Sequence, residues 1–241
     1  KFVSFEGGEG GGKSTQAVRL AGFLRSKGLD VVETREPGGT QQGEELRDLL
    51  VQGDPDRWSP FAELLMMTAA RVEHVNRLIE PALAAGKWVI CDRFLDSTLA
   101  YQGIAGGLGL DMVKPLQEIA VGKSLPDVTF LLDVREEAGL QRAEKRGGAA
   151  RFEKKQAEFH SKVRDGFLAL AAESPERMIV VDAEDTFDAV WQQIEGEMKP
   201  VSYTHLRAHE TLMNLVCRLL LEKILLLVVF ALWVCGVFFW L

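Results

Sequence analysis

A glycine-rich stretch near the start of the chain, GGEGGGKST, ends in a lysine and two hydroxyl residues. It fits the pattern GxxxxGK[S/T], in which the glycines let successive backbone N–H groups point at phosphate oxygens. Lys13 is placed to bridge the β- and γ-phosphates of a nucleotide, and Ser14 to ligate Mg²⁺. We therefore predict an ATP- or GTP-binding loop. Its residues are Gly7, Gly8, Glu9, Gly10, Gly11, Gly12, Lys13, Ser14 and Thr15.

A second part of such a site is the acidic residue Asp92, which ends an apolar run at residues 88–92. In open α/β sheets, ligands bind at the carboxyl ends of the strands. Asp92 is thus placed to hold Mg²⁺ directly or through water. We predict Ser14 and Asp92 as the metal ligands, although an acid after an apolar run is also an ordinary way to end a strand.

Short β-branched runs alternate with helix-periodic stretches as far as about Pro200. This alternation is typical of βαβ units and predicts an α/β protein with the P-loop NTPase fold, a five-stranded parallel sheet flanked by helices. The predicted strands are residues 2–6, 31–34, 88–92, 128–133 and 178–182. The predicted helices are residues 14–27, 44–51, 60–85, 112–122, 136–146, 153–172 and 187–198.

The composition changes near Pro200, so we predict one domain at residues 1–199 and a hydrophobic tail at residues 200–241. Residues 224–241 carry no charge and have about the minimum length of a membrane-spanning helix. The preceding stretch VSYTHLRAHET resembles a translated adapter read-through. We expect a non-native tail, and the alternative is a membrane anchor. Membrane binding is expected only if the tail is genuine.

Charge and cysteine usage exclude several classes of protein. The net charge of −7 argues against a general nucleic-acid binder, which usually presents a basic surplus. The three cysteines lie far apart and form no CxxC pair, so neither a disulfide framework nor a zinc site is predicted. A reducing cytoplasm fits this pattern.

Four further segments follow the glycine-rich loop in order: TREPGGT (residues 34–40), MTAAR (67–71), DRFLDSTLAYQG (92–103) and LPDVTFLLDV (125–134). Together with the loop they closely resemble the bacterial thymidylate kinase family, over residues 1 to about 198. The resemblance implies transfer of a phosphoryl group from ATP to dTMP with Mg²⁺, giving dTDP for dTTP biosynthesis. It also implies a homodimer.

The resemblance gives Glu9 a role that accounts for an acid inside a phosphate-binding loop, namely accepting a hydrogen bond from the 3′-hydroxyl of dTMP. Arg93 and Arg47 would hold the 5′-phosphate, since a guanidinium offers a phosphate two charge-assisted hydrogen bonds. Arg47 would otherwise be a surface helix residue. Arg71 would reach a thymine carbonyl, and Tyr101 would close the pocket against a ribose 2′-hydroxyl.

Thr98 would meet the N3 edge of the base. The full predicted substrate-binding set is Glu9, Arg47, Met67, Arg71, Arg93, Ser97, Thr98, Tyr101 and Gln102. Met67 departs from the family pattern, which usually has a phenylalanine stacked on thymine. A thioether still packs on an aromatic face, so we expect looser base recognition. The alternative is that Met67 belongs to the core and another residue, such as Phe61, stacks on the base.

Members of this family supply a catalytic arginine either from the phosphate loop or from a lid. The loop has no arginine among its variable positions, so the resemblance implies a short lid, which RAEKRGGAAR at residues 142–151 would provide. An ordinary solvated helix face is the alternative for this charge run. The predicted catalytic residues are Lys13, Arg93, Arg142, Arg146 and Arg151.

Two other functions remain as alternatives. Another P-loop nucleoside monophosphate kinase, acting on dUMP or dGMP, would share the phosphate loop. A membrane-anchored nucleotide-binding module would require a genuine tail. A regulatory GTPase has no support, because the chain lacks an NKxD motif.

Overall fold

The computed structural model describes residues 1–145, 151–153 and 155–198. The chain divides into two compact units, Lys1–Ile194 and Glu195–Leu241. Of the second unit, residues 195–198 are described, and they are helical. The predicted lid residue Arg146 and the predicted hydrophobic tail lie outside the described residues.

Five parallel strands form one sheet, in the spatial order β2-β3-β1-β4-β5. The strands are β1 (Phe2–Glu6), β2 (Val31–Arg35), β3 (Trp88–Asp92), β4 (Val128–Asp133) and β5 (Met178–Asp182). The predicted fold is confirmed. Four strands have the predicted bounds, and β2 is longer by one residue, Arg35.

The centre of the sheet is buried on both faces, as expected for a parallel sheet covered by helices. All five residues of β1 are buried, including the polar residues Ser4 and Glu6. The hydroxyl of Ser4 lies 2.7 Å from the hydroxyl of Thr129 on β4, and the two buried groups form a hydrogen bond with each other. β1 therefore holds the loop that follows it in a fixed position.

The helices are α1 (Lys13–Ser26), α2 (Gln41–Val51), α3 (Pro60–His74), α4 (Glu80–Ala84), α5 (Leu95–Thr98), α6 (Leu110–Val121), α7 (Glu136–Lys145), α8 (Ala157–Glu173) and α9 (residues 187–198). Side-chain caps begin two of them: Thr40 accepts from the Gly43 amide before α2, and Ser59 from the Ala62 amide before α3. Among the described residues, no helix is both long enough and apolar enough to cross a bilayer.

The predicted helix at residues 60–85 is interrupted by a π-helical turn, Val75–Ile79, between α3 and α4. Pro81 follows this turn and has no N–H to continue an α-helical ladder, which explains the change. The helical segment formed by α5 and the π-helical stretch Leu99–Ala105 was not predicted. That segment lies against α8.

Candidate active site

A cavity of about 260 Å³ lies where the loops after β1, β2 and β3 meet, at the carboxyl edge of the sheet. It brings together most residues that the sequence singled out. The predicted residues that line it are Glu9, Gly10, Gly12, Lys13, Ser14, Arg47, Met67, Arg71, Asp92, Arg93, Ser97, Thr98, Tyr101 and Gln102. Gly7, Gly8, Gly11, Thr15, Arg142 and Arg151 do not line it.

The glycine-rich loop connects β1 to α1 in a conformation that needs glycine. Gly10 has φ 69° and Gly12 has φ 85°, values that L side chains rarely adopt. A Cβ on Gly10 would also overlap the carbonyl oxygen of Gly139. Helix α1 begins at Lys13, so the free N–H groups of its first turn lie at the loop, as in a phosphate-binding site.

Lys13 has its ammonium group inside this loop, where Nζ donates to the Gly8 carbonyl at 2.5 Å. The side chain is buried. Burial, and then the nearby charge of Arg93, lowers the pKa of Lys13 to about 8. A buried cation held by one carbonyl is a favourable partner for an anion entering the loop.

Ser14 and Asp92 adjoin each other at the mouth of the loop, and the Ser14 hydroxyl donates to the Asp92 carboxylate. One hydroxyl and one carboxylate suit Mg²⁺, which uses few protein ligands and takes the rest from water and substrate phosphates. In the described part of the chain, no cluster of three or more His, Cys, Asp or Glu side chains could hold a metal by itself. The two residues therefore fit the predicted metal site.

Arg93 follows β3 and is the non-glycine residue with positive φ, 70°, among the described residues. Such a backbone conformation costs about 1–3 kcal/mol and persists when surrounding bonds enforce it. Its amide donates to the Phe5 carbonyl at 2.9 Å. Its guanidinium donates to the Gly7 carbonyl at 2.9 Å and to the Glu9 carboxylate at 2.8 Å. Arg93 thus joins β3 to the phosphate loop.

Glu9 lies on the side of the loop that faces Arg93 and Tyr101. Its Oε1 accepts from Arg93 Nη2 at 2.8 Å and from the Tyr101 hydroxyl at 2.9 Å. Burial alone would raise the pKa of Glu9, but Arg93 and then Lys13 lower it to about 2. Glu9 is therefore an ionised acceptor that points to the pocket beyond the phosphate loop.

Arg71 donates four hydrogen bonds to other residues of the protein and forms an ion pair with Glu36. Nε and Nη2 contact the Glu36 carboxylate at 2.7 Å, and Nη2 also donates to the Phe94 carbonyl at 3.0 Å. Nη1 donates to Thr98 Oγ1 at 3.0 Å and to Gln117 Oε1. The predicted contact of Arg71 with a thymine carbonyl stays a prediction, and it would require one of these donors to change partner.

Glu36 was not predicted as a site residue, although it lies in the TREPGGT segment. It is buried and accepts from His74 Nδ1 at 2.9 Å as well as from Arg71. Burial raises the pKa of Glu36, but Arg71 and His74 reverse this, so that the net shift is downward. An acid between an arginine and a proline gave no pattern by which sequence reasoning could have assigned this role.

Glu6, the last residue of β1, is a second residue that sequence reasoning did not assign. Its carboxylate accepts from the Phe94 amide at 2.8 Å and from the Ser97 hydroxyl at 2.6 Å. It thereby caps α5, which carries the predicted substrate-binding residues Ser97 and Thr98. Burial, and then the charge of Asp96, raises the pKa of Glu6 to about 7. The acidic end of an apolar strand was the available signal.

The remaining pocket residues differ in their contacts with the rest of the protein and in whether they line the cavity. Arg47 Nη1 donates to the Pro37 carbonyl at 2.8 Å. Met67 is half-buried, lines the cavity and packs against the core. Phe61 is 46% exposed and does not line the cavity, whereas Phe152, which was not predicted, does. In this structure, Phe61 is therefore not placed to stack on a base in the cavity.

The two described arginines of the predicted lid are bonded away from the cavity. Arg142 donates to the carbonyls of Ala183 and Glu184, both at 2.8 Å. Arg151 is 1% exposed and donates to the Leu50 and Pro55 carbonyls at 2.9 and 2.8 Å. A catalytic role for Arg142, Arg146 and Arg151 stays a prediction. In the conformation described, Arg151 has no free donor directed at a phosphate.

Comparison with known proteins agrees with the fold. The thymidylate kinase family model matches residues 5–194. A thymidylate kinase from Caulobacter vibrioides is 53% identical over 189 residues, covering 78% of this chain and 91% of the relative. One from Magnetococcus marinus is 46% identical over 203 residues, covering 81% of this chain and 96% of the relative.

Solved structures give the same result. The crystal structure of thymidylate kinase from Ehrlichia chaffeensis superposes with a TM-score of 0.67 and 36% sequence identity, covering 82% of this chain and 98% of that one. The matched region contains the phosphate loop, Arg93 and every residue that lines the cavity. The chain belongs to the thymidylate kinase family.

Proposed function

We propose that this protein transfers the γ-phosphoryl group of ATP to dTMP, giving dTDP and ADP. The observation that carries the proposal is the group formed by Glu9, Arg93 and Tyr101 beside the phosphate loop. A phosphate loop alone serves many nucleotide-using proteins. An ionised acid within hydrogen-bond distance of both an arginine and a tyrosine suits a ligand that carries a sugar hydroxyl and a phosphate.

On the acceptor side, Arg93 and Arg47 hold the 5′-phosphate of dTMP, and Glu9 accepts from its 3′-hydroxyl. Tyr101 packs between Arg93 and Phe152. The guanidinium carbon of Arg93 lies 5.1 Å from the centroid of the Tyr101 ring, and the centroids of the Tyr101 and Phe152 rings are 5.9 Å apart. This packing fixes the ring next to the sugar, so that a ribose 2′-hydroxyl is excluded. Arg71 and Thr98, with Met67, Ser97 and Gln102, surround the base.

On the donor side, the loop amides and Lys13 hold the β- and γ-phosphates. Ser14 and Asp92 would hold Mg²⁺, which would supply positive charge to these phosphates. An oxygen of the dTMP phosphate forms the new bond to the γ-phosphorus, and the bond from that phosphorus to the bridging oxygen of ADP breaks. The nucleophile is largely dianionic at pH 7, so no strong general base is required.

The charge of the transferring group is spread over Lys13, Arg93 and a lid arginine, for which Arg142 and Arg146 are the candidates. Action of Arg142 requires a conformation other than the one described, since its guanidinium is bonded to backbone carbonyls. We also propose a cytoplasmic homodimer. The family resemblance supports the dimer, and the wide spacing of the cysteines supports a reducing compartment.

The experiment that tests this proposal is an assay of ADP release by the full chain. It compares dTMP, dUMP, dGMP and no acceptor, each with ATP and Mg²⁺. We expect release that depends on dTMP, is weaker with dUMP and stops when EDTA is added. Release with dGMP above that with dTMP would contradict the proposed substrate, and release independent of any acceptor would contradict a monophosphate kinase.

A further inference from the structure

We propose that Glu63 and Arg151 are positioning residues that turn the Gln102 side-chain oxygen toward the cavity, where it reads a base that presents an N–H group. This inference rests on the proposed function, because it assumes that the cavity holds a pyrimidine nucleotide. It gives Arg151 a role other than the phosphoryl contact predicted from the sequence.

Gln102 lies in the π-helical stretch Leu99–Ala105 and lines the cavity, while its side chain is almost fully buried. Its Nε2 donates to Glu63 Oε1 at 2.7 Å. Glu63 does not line the cavity. Because an ionised carboxylate can only accept, it selects the nitrogen end of the amide. The oxygen end is then left for the cavity, and no hydrogen bond among the described residues reaches it.

Glu63 is kept in this position by its second oxygen, which forms an ion pair with Arg151 Nη2. The two oxygens of Glu63 thus have separate partners, a guanidinium and an amide. A nearby opposite charge favours the ionised form of a carboxyl group. Glu63 therefore acts as an acceptor toward Gln102.

Arg151 is itself fixed by the backbone at the end of α2. Its amide donates to the Val51 carbonyl at 2.9 Å, Nε to the Leu50 carbonyl at 2.9 Å, and Nη1 to the Pro55 carbonyl at 2.8 Å. These three bonds leave Nη2 for Glu63. Glu63 is thus held by an ion pair with Arg151 on one oxygen and accepts from the Gln102 amide nitrogen on the other.

The chemical consequence is selectivity for the N3 edge of a pyrimidine. Thymine and uracil carry a hydrogen on N3 and can donate to Gln102 Oε1. Cytosine has a lone pair at N3, which would face that oxygen without a hydrogen between them. Thr98 Oγ1 already accepts from Arg71, so Gln102 offers the N3–H group an acceptor that no described residue uses.

The decisive variant is Glu63→Gln. A glutamine at position 63 would give its oxygen to Arg151 and its NH2 group to Gln102, which would then turn its own NH2 group toward the cavity. The measured quantity is the ratio of kcat/KM for dTMP to kcat/KM for dCMP. We expect this ratio to fall about tenfold, which corresponds to the loss of one neutral hydrogen bond to the base. A ratio within twofold of the wild-type value would overturn the inference.

A second variant, Gln102→Leu, separates base reading from a merely structural effect of Glu63. The single variant should lower the same ratio about tenfold. In the Gln102→Leu background, Glu63→Gln should then leave the ratio unchanged, since the amide that it reorients is absent. An equal fall of the ratio with and without Gln102 would overturn the inference. If Glu63→Gln does not fold, Gln102→Leu still tests whether Gln102 reads the base.

Arg151→Met distinguishes the two roles of the arginine. A positioning residue predicts a kcat for dTMP within about fivefold of the wild-type value, whereas a contact with the transferring phosphoryl group predicts a loss of about 10³-fold or more. The larger loss would overturn the inference. Wild-type protein that does not act on dTMP would instead contradict the proposed function, so the two failures are distinguishable.

Discussion

The two sides of the cavity differ in how far the protein itself satisfies their cations. On the acceptor side, Arg71 donates four hydrogen bonds and pairs with Glu36, and Arg93 donates to four side-chain or backbone oxygens. Arg47 at the same side donates to one carbonyl among the described residues, so the difference concerns Arg71 and Arg93. On the phosphate-loop side, Lys13 has one carbonyl partner. The acceptor pocket is therefore organised before a ligand binds, whereas the phosphate loop depends on its ligand to complete its bonding.

The pKa values of two neighbouring residues express the same difference. Glu9, buried on the acceptor side, has a pKa near 2 because Arg93 and Lys13 outweigh the effect of burial. Lys13 has a pKa near 8 because burial is not fully offset by Glu9 and Asp92. The negative charge of Glu9 is thus balanced by neighbouring cations, whereas the positive charge of Lys13 is not fully balanced by neighbouring acids. This favours the entry of an anion at the loop.

The largest effect that we expect comes from Lys13→Ala, which removes this excess charge. Turnover of dTMP should fall by about 10³-fold or more, since charge stabilisation of the transferring group is the main catalytic contribution in such enzymes. The measurement is kcat in the ADP-release assay. Lys27→Ala, at the end of the same helix and outside the cavity, is the matched control and should keep the wild-type rate.

The same variant should not weaken the ligand-free fold. Lys13 titrates near 8 in the folded protein and near 10.5 when unfolded, so its charged form is disfavoured in the fold. Its contribution to stability is present above pH 10.5 and is lost as the pH falls through 8. At pH 7, Lys13→Ala should therefore leave the free energy of unfolding unchanged or raise it by roughly 1–3 kcal/mol. A clear loss of unfolding free energy, measured by urea denaturation, would contradict the proposed difference between the phosphate-loop side and the acceptor side of the cavity.

Arg71→Met tests the acceptor side and should affect stability instead. It leaves Glu36 with His74 as its remaining partner and removes the donors to Thr98, Gln117 and Phe94. Breaking a buried ion pair from one side costs about 3–5 kcal/mol, measurable by urea denaturation. Arg47→Met, which removes one bond to a carbonyl, is the control and should cost less than about 1 kcal/mol. Equal losses of unfolding free energy in the two variants would show that Arg71 stabilises the pocket no more than Arg47 does.

The smallest effect that we expect is from Met67→Phe. Both side chains pack on an aromatic face, by about 0.3–1.5 kcal/mol for a thioether and about 0.5–1.5 kcal/mol for a ring. The KM for dTMP should therefore fall by less than about fivefold, with kcat unchanged. Phe61→Leu is the control and should change neither constant, because Phe61 does not line the cavity. A rise in KM would instead indicate that Met67 serves the core and that a larger ring overpacks it.

The parts of this protein that follow from local rules could be predicted closely from the sequence. The strand bounds follow from short apolar runs between turn residues, and the phosphate loop follows from glycines and a lysine at fixed spacing. The helical segment at residues 95–105 was missed because it is short, contains a π-helical stretch and depends on Glu6 of β1 as a cap. A cap that lies 88 residues away in sequence leaves no local pattern.

The sequence by itself determined the order of the strands and helices along the chain and the phosphate loop, while the family resemblance pointed to most, but not all, of the residues that meet at the carboxyl edge of the sheet. The sequence did so because backbone propensity, hydrophobic periodicity and glycine conformations act over a few residues. The tertiary structure alone decided which donor faces which acceptor: Glu36 on Arg71, Glu9 on Arg93, and Arg151 on Glu63 rather than on the cavity. A hydrogen bond depends on distances of tenths of an ångström between residues far apart in the chain, and only folding sets those distances.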